Sequence, residues 1–178
     1  KFFTRRAVFV GTAWRLLQKI RYRSIMFDGG KMGDRRHLTP FEIALMEMGV
    51  CEVPGPGTNA RINEYHASCG TAYDDETPWC SSFVNWCLEK CRDEGAGTNR
   101  SNARSWNHWG EKIEHPRRGD LVVFWRGSPA GWMGHVGFFV TFSEDGTQVL
   151  VLGGNQKNRV GMNWYGLNRV LSYRAVEV

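Results

Sequence analysis

The side chain with the sharpest chemical potential is Cys80, in the run Pro78-Trp79-Cys80-Ser81-Ser82-Phe83. Phe83, Val84, Cys87 and Cys91 follow at three- and four-residue spacing, which predicts a helix from about Cys80 to Arg92 with this cysteine at its start. Free N–H groups and partial positive charge at a helix N-terminus favour an anionic sulfur, the nucleophilic form. A thiol also needs a base. His37, His66, His108 and His115 lie in polar or irregular contexts, whereas His135 opens an apolar strand in Gly134-His135-Val136-Gly137. Glycines on both sides of it leave room for a substrate backbone. A thiol–imidazole pair is completed by a polar group that orients the ring. Asn155 falls just past the next strand, in Leu152-Gly153-Gly154-Asn155-Gln156, and Gln156 is an adjacent alternative. Taken singly, the three have ordinary readings: a buried cysteine, a half-buried histidine and a turn-forming asparagine. Their order along the chain is more specific than any one of them.

These residues need particular elements to meet. Thr39-Pro40-Phe41-Glu42 has the pattern of a capped helix start, with Phe41, Leu45 and Met48 as its apolar face and Gly49 as its stop. Pro54–Asn59 is rich in turn residues; a short helix is expected around Ala60–His66 and another over Ala103–Trp109. After Pro116 the pattern changes to strands: Leu121–Trp125, Gly134–Phe142, Gln148–Leu152, Arg159–Trp164 and Arg169–Val176. Glu144-Asp145-Gly146-Thr147 makes a hairpin of the second and third, and that reversal returns Asn155 to the start of the strand that carries His135. Helices first and strands second, joined by short connections, predict an α+β fold with a central antiparallel sheet of about five strands.

Composition bounds the function. With 178 residues, 42% apolar and 23% charged, the chain is of single-domain size and falls outside the disordered class. The net charge of +5 is unevenly placed: residues 1–37 carry a local balance of +8 and residues 38–178 one of −3. The expected division is therefore a basic, partly amphipathic extension over 1–37 and a folded domain over 38–178. A mildly acidic domain argues against nucleic-acid binding, and no run reaches the length of a membrane span. Trp14, Leu16, Leu17, Ile20 and Ile25, interleaved with Arg15, Lys19, Arg21 and Arg23, would let the extension act on an anionic surface or dock on a virion or other assembly protein. A solvated linker is the plainer reading of the same residues. The sequence opens on Lys1, as a processed or partial chain would. An odd count of five cysteines leaves at least one thiol free; a Cys51–Cys69 bridge stays open. Zinc-ligand spacings and the G-x-S-x-G of serine hydrolases do not occur, so neither a metal nor a cofactor is expected.

The segments Pro78–Cys87, Arg118-Gly119-Asp120-Leu121-Val122-Val123-Phe124, Gly134–Phe139 and Leu152–Gln156 resemble the NlpC/CHAP superfamily of papain-like cell-wall hydrolases, most closely its phage and prophage members with a PWCS-type motif. Glu47–Gly55 is similar to the helix and loop that open that domain. The resemblance implies N-terminal helices packed on the sheet. It also implies a cysteine endopeptidase or N-acetylmuramoyl-L-alanine amidase acting on the stem peptide of peptidoglycan, at the bacterial cell wall or periplasm, carried by a virion or released after cytoplasmic synthesis. Cys80 would be the nucleophile, His135 the base and Asn155 the orienting group, with the Cys80 N–H in the oxyanion hole. Asp120 would be a structural turn residue, and Tyr73 is the nearest match to an oxyanion tyrosine found upstream in relatives. Trp79, Trp106, Trp125 and Trp132 are candidates for a substrate groove. A catalytically secondary, structural or wall-binding component of a virion or envelope assembly is the alternative.

Overall fold

Helix α1 (Pro40–Met46) begins as its sequence dictates: the Thr39 hydroxyl accepts from the Glu42 N–H, and the Glu42 carboxylate accepts from the Thr39 N–H at 2.9 Å. The computed structural model that shows this describes residues 38–91 and 96–177. The basic extension over 1–37 lies outside the described residues, as does the expected helix end at Arg92. The buried face of α1 is Pro40, Phe41, Ile43 and Ala44, not the expected one through Met48. The helix stops at Met46 and leaves Met48 partly exposed.

Helix α2 (Ala60–Ala67) is capped by the Asn59 side chain, and α3 (Cys80–Cys91) follows Pro78. Asp75, fully buried, ties the turn-rich segment before α2 to the approach of α3: its Oδ2 accepts from the Val53 and Asn59 N–H groups at 2.9 and 2.8 Å. The short helix expected over Ala103–Trp109 is a 3₁₀ helix (Ala103–His108).

The strands are β1 (Lys112–Ile113), β2 (Leu121–Trp125), β3 (Gly134–Phe142), β4 (Gln148–Gly153), β5 (Gly161–Gly166) and β6 (Val170–Arg174). They form one antiparallel sheet in the order β1-β6-β2-β3-β4-β5, so the expected α+β class holds, with six strands. The strand missed in the sequence, β1, is two residues long and has no apolar pattern to reveal it. Among the described residues, no helix is long and apolar enough to cross a membrane.

Alternation along the strands divides the core. Leu121, Val123, Val136, Phe138 and Leu152 face the helices, where Trp79, Phe83, Val84, Leu88 and Trp106 fill the space. Val122, Phe124, Phe139, Val149 and Val151 face the other way, beneath Tyr165 and Tyr173. The β2–β3 register pairs Phe124 with His135, and the β2–β6 register pairs Phe124 with Val170. The C-terminal end of β2 and the N-terminal ends of β3 and β6 therefore coincide.

Asp120 closes this sheet at its opposite end. Its buried carboxylate accepts from the Arg117 N–H at 2.6 Å and the Val176 N–H at 3.0 Å, joining the entry to β2 to the chain that leaves β6. It is the turn residue its Gly-Asp context suggested. Asp120→Ala leaves two backbone donors unpaired, at about 1–3 kcal/mol for each that stays buried. Urea denaturation should show about 2–4 kcal/mol lost; a loss within the noise of the measurement would show that the carboxylate does not brace the sheet.

Candidate active site

The start of α3 is held from several sides by the motif around Cys80. Pro78 sets the chain for helix entry, and the first helical hydrogen bond is Phe83 N–H to Trp79 carbonyl at 2.9 Å. The N–H groups of Cys80, Ser81 and Ser82 are thus not consumed by the helix ladder. Trp79 is fully buried and its indole donates to Glu52 Oε1 at 2.8 Å. The Ser81 hydroxyl donates to the Arg100 carbonyl at 2.6 Å and accepts from the Trp106 indole at 2.8 Å. Ser82 Oγ meets His66 Nδ1 at 3.2 Å. Asn85 Nδ2 donates to the Ser81 and Arg100 carbonyls, and its Oδ1 accepts from the Asn99 N–H at 2.9 Å. Each polar residue of Trp-Cys-Ser-Ser-Phe-Val-Asn, Cys80 apart, is committed to fixing the helix start.

Of the groove candidates, Trp79 and Trp106 are corrected by this packing: both are fully buried and line no groove. Trp125 is half-buried, its indole donating to the Asn168 carbonyl at 3.2 Å, and Trp132 is 76% exposed. Trp132 projects from the β2–β3 loop, which Arg104 clamps with three bonds, to the carbonyls of Ser128, Pro129 and Met133 at 2.8–2.9 Å.

Cys80 is buried and reaches β3 at the backbone of Val136, the residue after His135. Burial pushes its thiol up; the N–H groups of Val136 and Ser81 and the charge of Arg126 pull the other way. The thiolate expected from the helix terminus is therefore opposed by desolvation. His135 is only 4% exposed, its ring stacked on Tyr165 at 5.2 Å and on Phe124 at 6.2 Å. Cys80 lies near enough to Tyr165 to help raise that phenol to about 12, a shift for which burial is the larger cause. The His135 Nε2 is buried without a hydrogen-bond partner.

The glycines beside His135 serve packing rather than substrate access. A Cβ at Gly134 would fall 2.7 Å from the Phe124 carbonyl, and one at Gly137 would fall 2.8 Å from that of Leu152. Gly154 lies against α3 itself, where a Cβ would sit 2.5 Å from the Trp79 ring and 2.7 Å from the Phe83 side chain. Asn155 follows in the left-handed region, at φ 52°, and Lys157 and Asn158 share that conformation. Continued past β4, the pairing of Phe138 with Leu152 sets position 155 opposite His135, yet the Asn155 amide is not seated on Nε2. Gln156 is committed elsewhere: its Nε2 donates to the Val151, Gly153 and Gly161 carbonyls and its Oε1 accepts from the Tyr165 hydroxyl at 2.7 Å. It clamps the turn that carries Asn155.

Tyr73 is 45% exposed and stands edge-on to His66, with its ring centroid 5.5 Å away. His66, read from sequence as lying in a polar context, is fully buried. Cys51, Cys69, Cys80 and Cys87 are free thiols, with Cys87 buried in the core and Cys51 exposed. Sequence reading passed over Tyr165, the ring that contacts His135, because nothing local marks a tyrosine in β5 as the neighbour of a residue in β3.

A helix-borne thiol set against the strand that carries a histidine, on helices packed over an antiparallel sheet, is the layout of the papain-like fold. Residues 72–155 match the family model of the CHAP domain, a span that includes Cys80 and His135 and ends on Asn155. A solved structure described as similar to lipoprotein, of the NLP/P60 family, from Staphylococcus aureus subsp. aureus Mu50 is 16% identical, with a TM-score of 0.45. That match covers 88% of this chain and 47% of the other, so this chain spans about half the length of the solved one. No curated protein sequence matches significantly.

Burial lowers the His135 pKa to about 3, and the positive charges of Arg126 and Arg169 add to the effect. The native ring is neutral above about pH 3, whereas in the unfolded chain it takes up a proton below its ordinary value of 6.5. The unfolded state thus binds more protons between these values, and stability falls as the pH drops from 6.5 towards 3, with no contribution above 6.5. His135→Gln should flatten the acid limb of a Tm–pH profile relative to the wild type. Superimposable profiles would show that the imidazole is not held neutral.

Proposed function

We propose that this chain is a peptidoglycan hydrolase, the class of activity a CHAP domain implies, and that it cleaves a peptide or amide bond of the stem peptide by thiol chemistry. The observation that carries the reading is a buried Cys80 at a helix start, against the strand that begins with His135, inside the matched CHAP segment. As Cys80 Sγ attacks the carbonyl carbon, His135 takes the thiol proton, and the N–H of Cys80, released from its contact with the thiol, holds the tetrahedral oxyanion. The imidazolium then gives its proton to the leaving amine, which departs as a thioester forms. Water, deprotonated by His135, hydrolyses the thioester to a carboxylic acid and restores the thiol. Asn155 acts by orienting the imidazole once substrate is bound; catalytic hydrogen bonds commonly tighten only in the complex.

Both the endopeptidase and the N-acetylmuramoyl-L-alanine amidase use this sequence of steps, and the resemblance to PWCS-type phage members favours a lysin or virion-associated hydrolase. The site of action would be the cell wall. The basic extension over residues 1–37 would hold the enzyme on an anionic surface or on an assembly protein, as its local balance of +8 suggests.

The test is mass spectrometry of fragments released from purified peptidoglycan, which also identifies the bond cut. Cys80→Ala and His135→Ala should abolish release with unchanged circular dichroism. Asn155→Ala should retain more activity, since an orienting group transfers no proton. Wild-type turnover in Cys80→Ala would rule out the thiol mechanism.

A further inference from the structure

The imidazole that must act as base has no polar partner at Nε2 among the described residues. What holds the ring is aromatic. Phe124, His135 and Tyr165 meet pairwise, with centroids 6.2 Å apart for Phe124 and His135, 5.2 Å for His135 and Tyr165, and 4.8 Å for Phe124 and Tyr165. Phe124 lies opposite His135 in the β2–β3 register, and its ring has no polar atom, so it supplies packing alone. Tyr165 comes from β5 and carries a polar tip. Its hydroxyl donates to Gln156 Oε1 at 2.7 Å, and burial pushes the phenol up to about 12, so it stays a donor. Gln156, only 4% exposed, in turn brackets the β4–β5 turn. Its Nε2 donates to the Val151 and Gly153 carbonyls on one side of the turn and to the Gly161 carbonyl on the other. Between them Asn155, Lys157 and Asn158 stand in the left-handed region, at φ 52°, 57° and 61°. Non-glycine residues persist there only where their surroundings over-determine them.

We propose that Tyr165 is the positioning residue of this site, a single side chain that sets the His135 imidazole with its ring and, through Gln156, the turn bearing Asn155 with its hydroxyl. His135 and Asn155 belong to different segments of the sheet, and pairing continued past β4 sets position 155 opposite His135. A side chain tied to both fixes their separation. That tolerance matters because a misplacement of about 1 Å costs on the order of a hundredfold in rate. Tyr165 acts through its two neighbours and touches no reacting atom. This inference rests on the thiol-hydrolase reading above.

The test has two arms, on the full chain. Tyr165→Phe removes the hydroxyl and keeps the ring; Tyr165→Leu removes both. The first arm follows hydrogen exchange and histidine ring resonances by NMR. The Gln156 N–H, bonded to the Arg159 carbonyl at 2.9 Å, should exchange about tenfold faster in Tyr165→Phe, the factor expected for one lost hydrogen bond. The His135 ring resonances should stay in place in Tyr165→Phe and move in Tyr165→Leu. Unchanged exchange at Gln156 overturns the proposal whether or not the protein cleaves peptidoglycan. The second arm measures turnover of soluble stem-peptide fragments. Tyr165→Phe should lower kcat about tenfold and leave KM unchanged, the split expected of a residue that aligns the base and binds no substrate. In an Asn155→Ala background the same change should cost nothing, because the group it positions is gone. Additive losses would make Tyr165 a fold-stabilising residue and overturn the proposal while the hydrolase reading stands. Absence of cleavage by wild type counts against the hydrolase reading, and the exchange at Gln156 still decides the link from Tyr165 to the turn.

Discussion

The site depends on how closely the start of α3 approaches the end of β4. At Gly154 the sheet backbone touches the Trp79 ring and the Phe83 side chain with no room for a Cβ. That contact brings the helix terminus, with its unused N–H groups, down to the strand that carries His135. A larger residue at this position would have to push the helix outward, and the thiol would leave the backbone of Val136. Dense packing transmits such a displacement rather than absorbing it. The hydrogen bonds of Glu52, Ser81, Ser82 and Asn85 then fix the helix once it is in place.

Electrostatics in the site follow from that packing. Excluding water raises the thiol and lowers the imidazole, so both are neutral at rest. The helix terminus alone suggested an ionised sulfur, and burial reverses the balance. Neither group therefore rests as an ion.

Much of this was legible in the chain. The Thr39–Glu42 capping box, the helix from Cys80 and the β3–β4 hairpin are local patterns with local causes, and each is where the sequence puts it. The convergence of Cys80 with β3 was legible because helix start and strand start are both marked by composition. Lateral neighbours were not. Tyr165 belongs to the edge strand β5, two strands away from His135 in the sheet order, yet their rings stack. Trp79 and Trp106 look alike in sequence to Trp132, yet two are sealed in the core and one is open. Aromatic residues serve equally as packing and as contact surface, so composition does not separate them. Gln156 misleads for a related reason: an amide adjacent to the expected orienting residue is spent on three carbonyls and a tyrosine.

The Arg104 clamp has a consequence for how this fold diversifies. One side chain from outside the β2–β3 loop holds three of the loop's carbonyls, so the loop's shape is imposed from beneath rather than by its own side chains. Residues at its tip, Trp132 among them, are then nearly free of folding duties. Exchange of those residues alters what the loop presents while its backbone path persists. Substitution can thus accumulate at this one loop without renegotiating the stability of the domain.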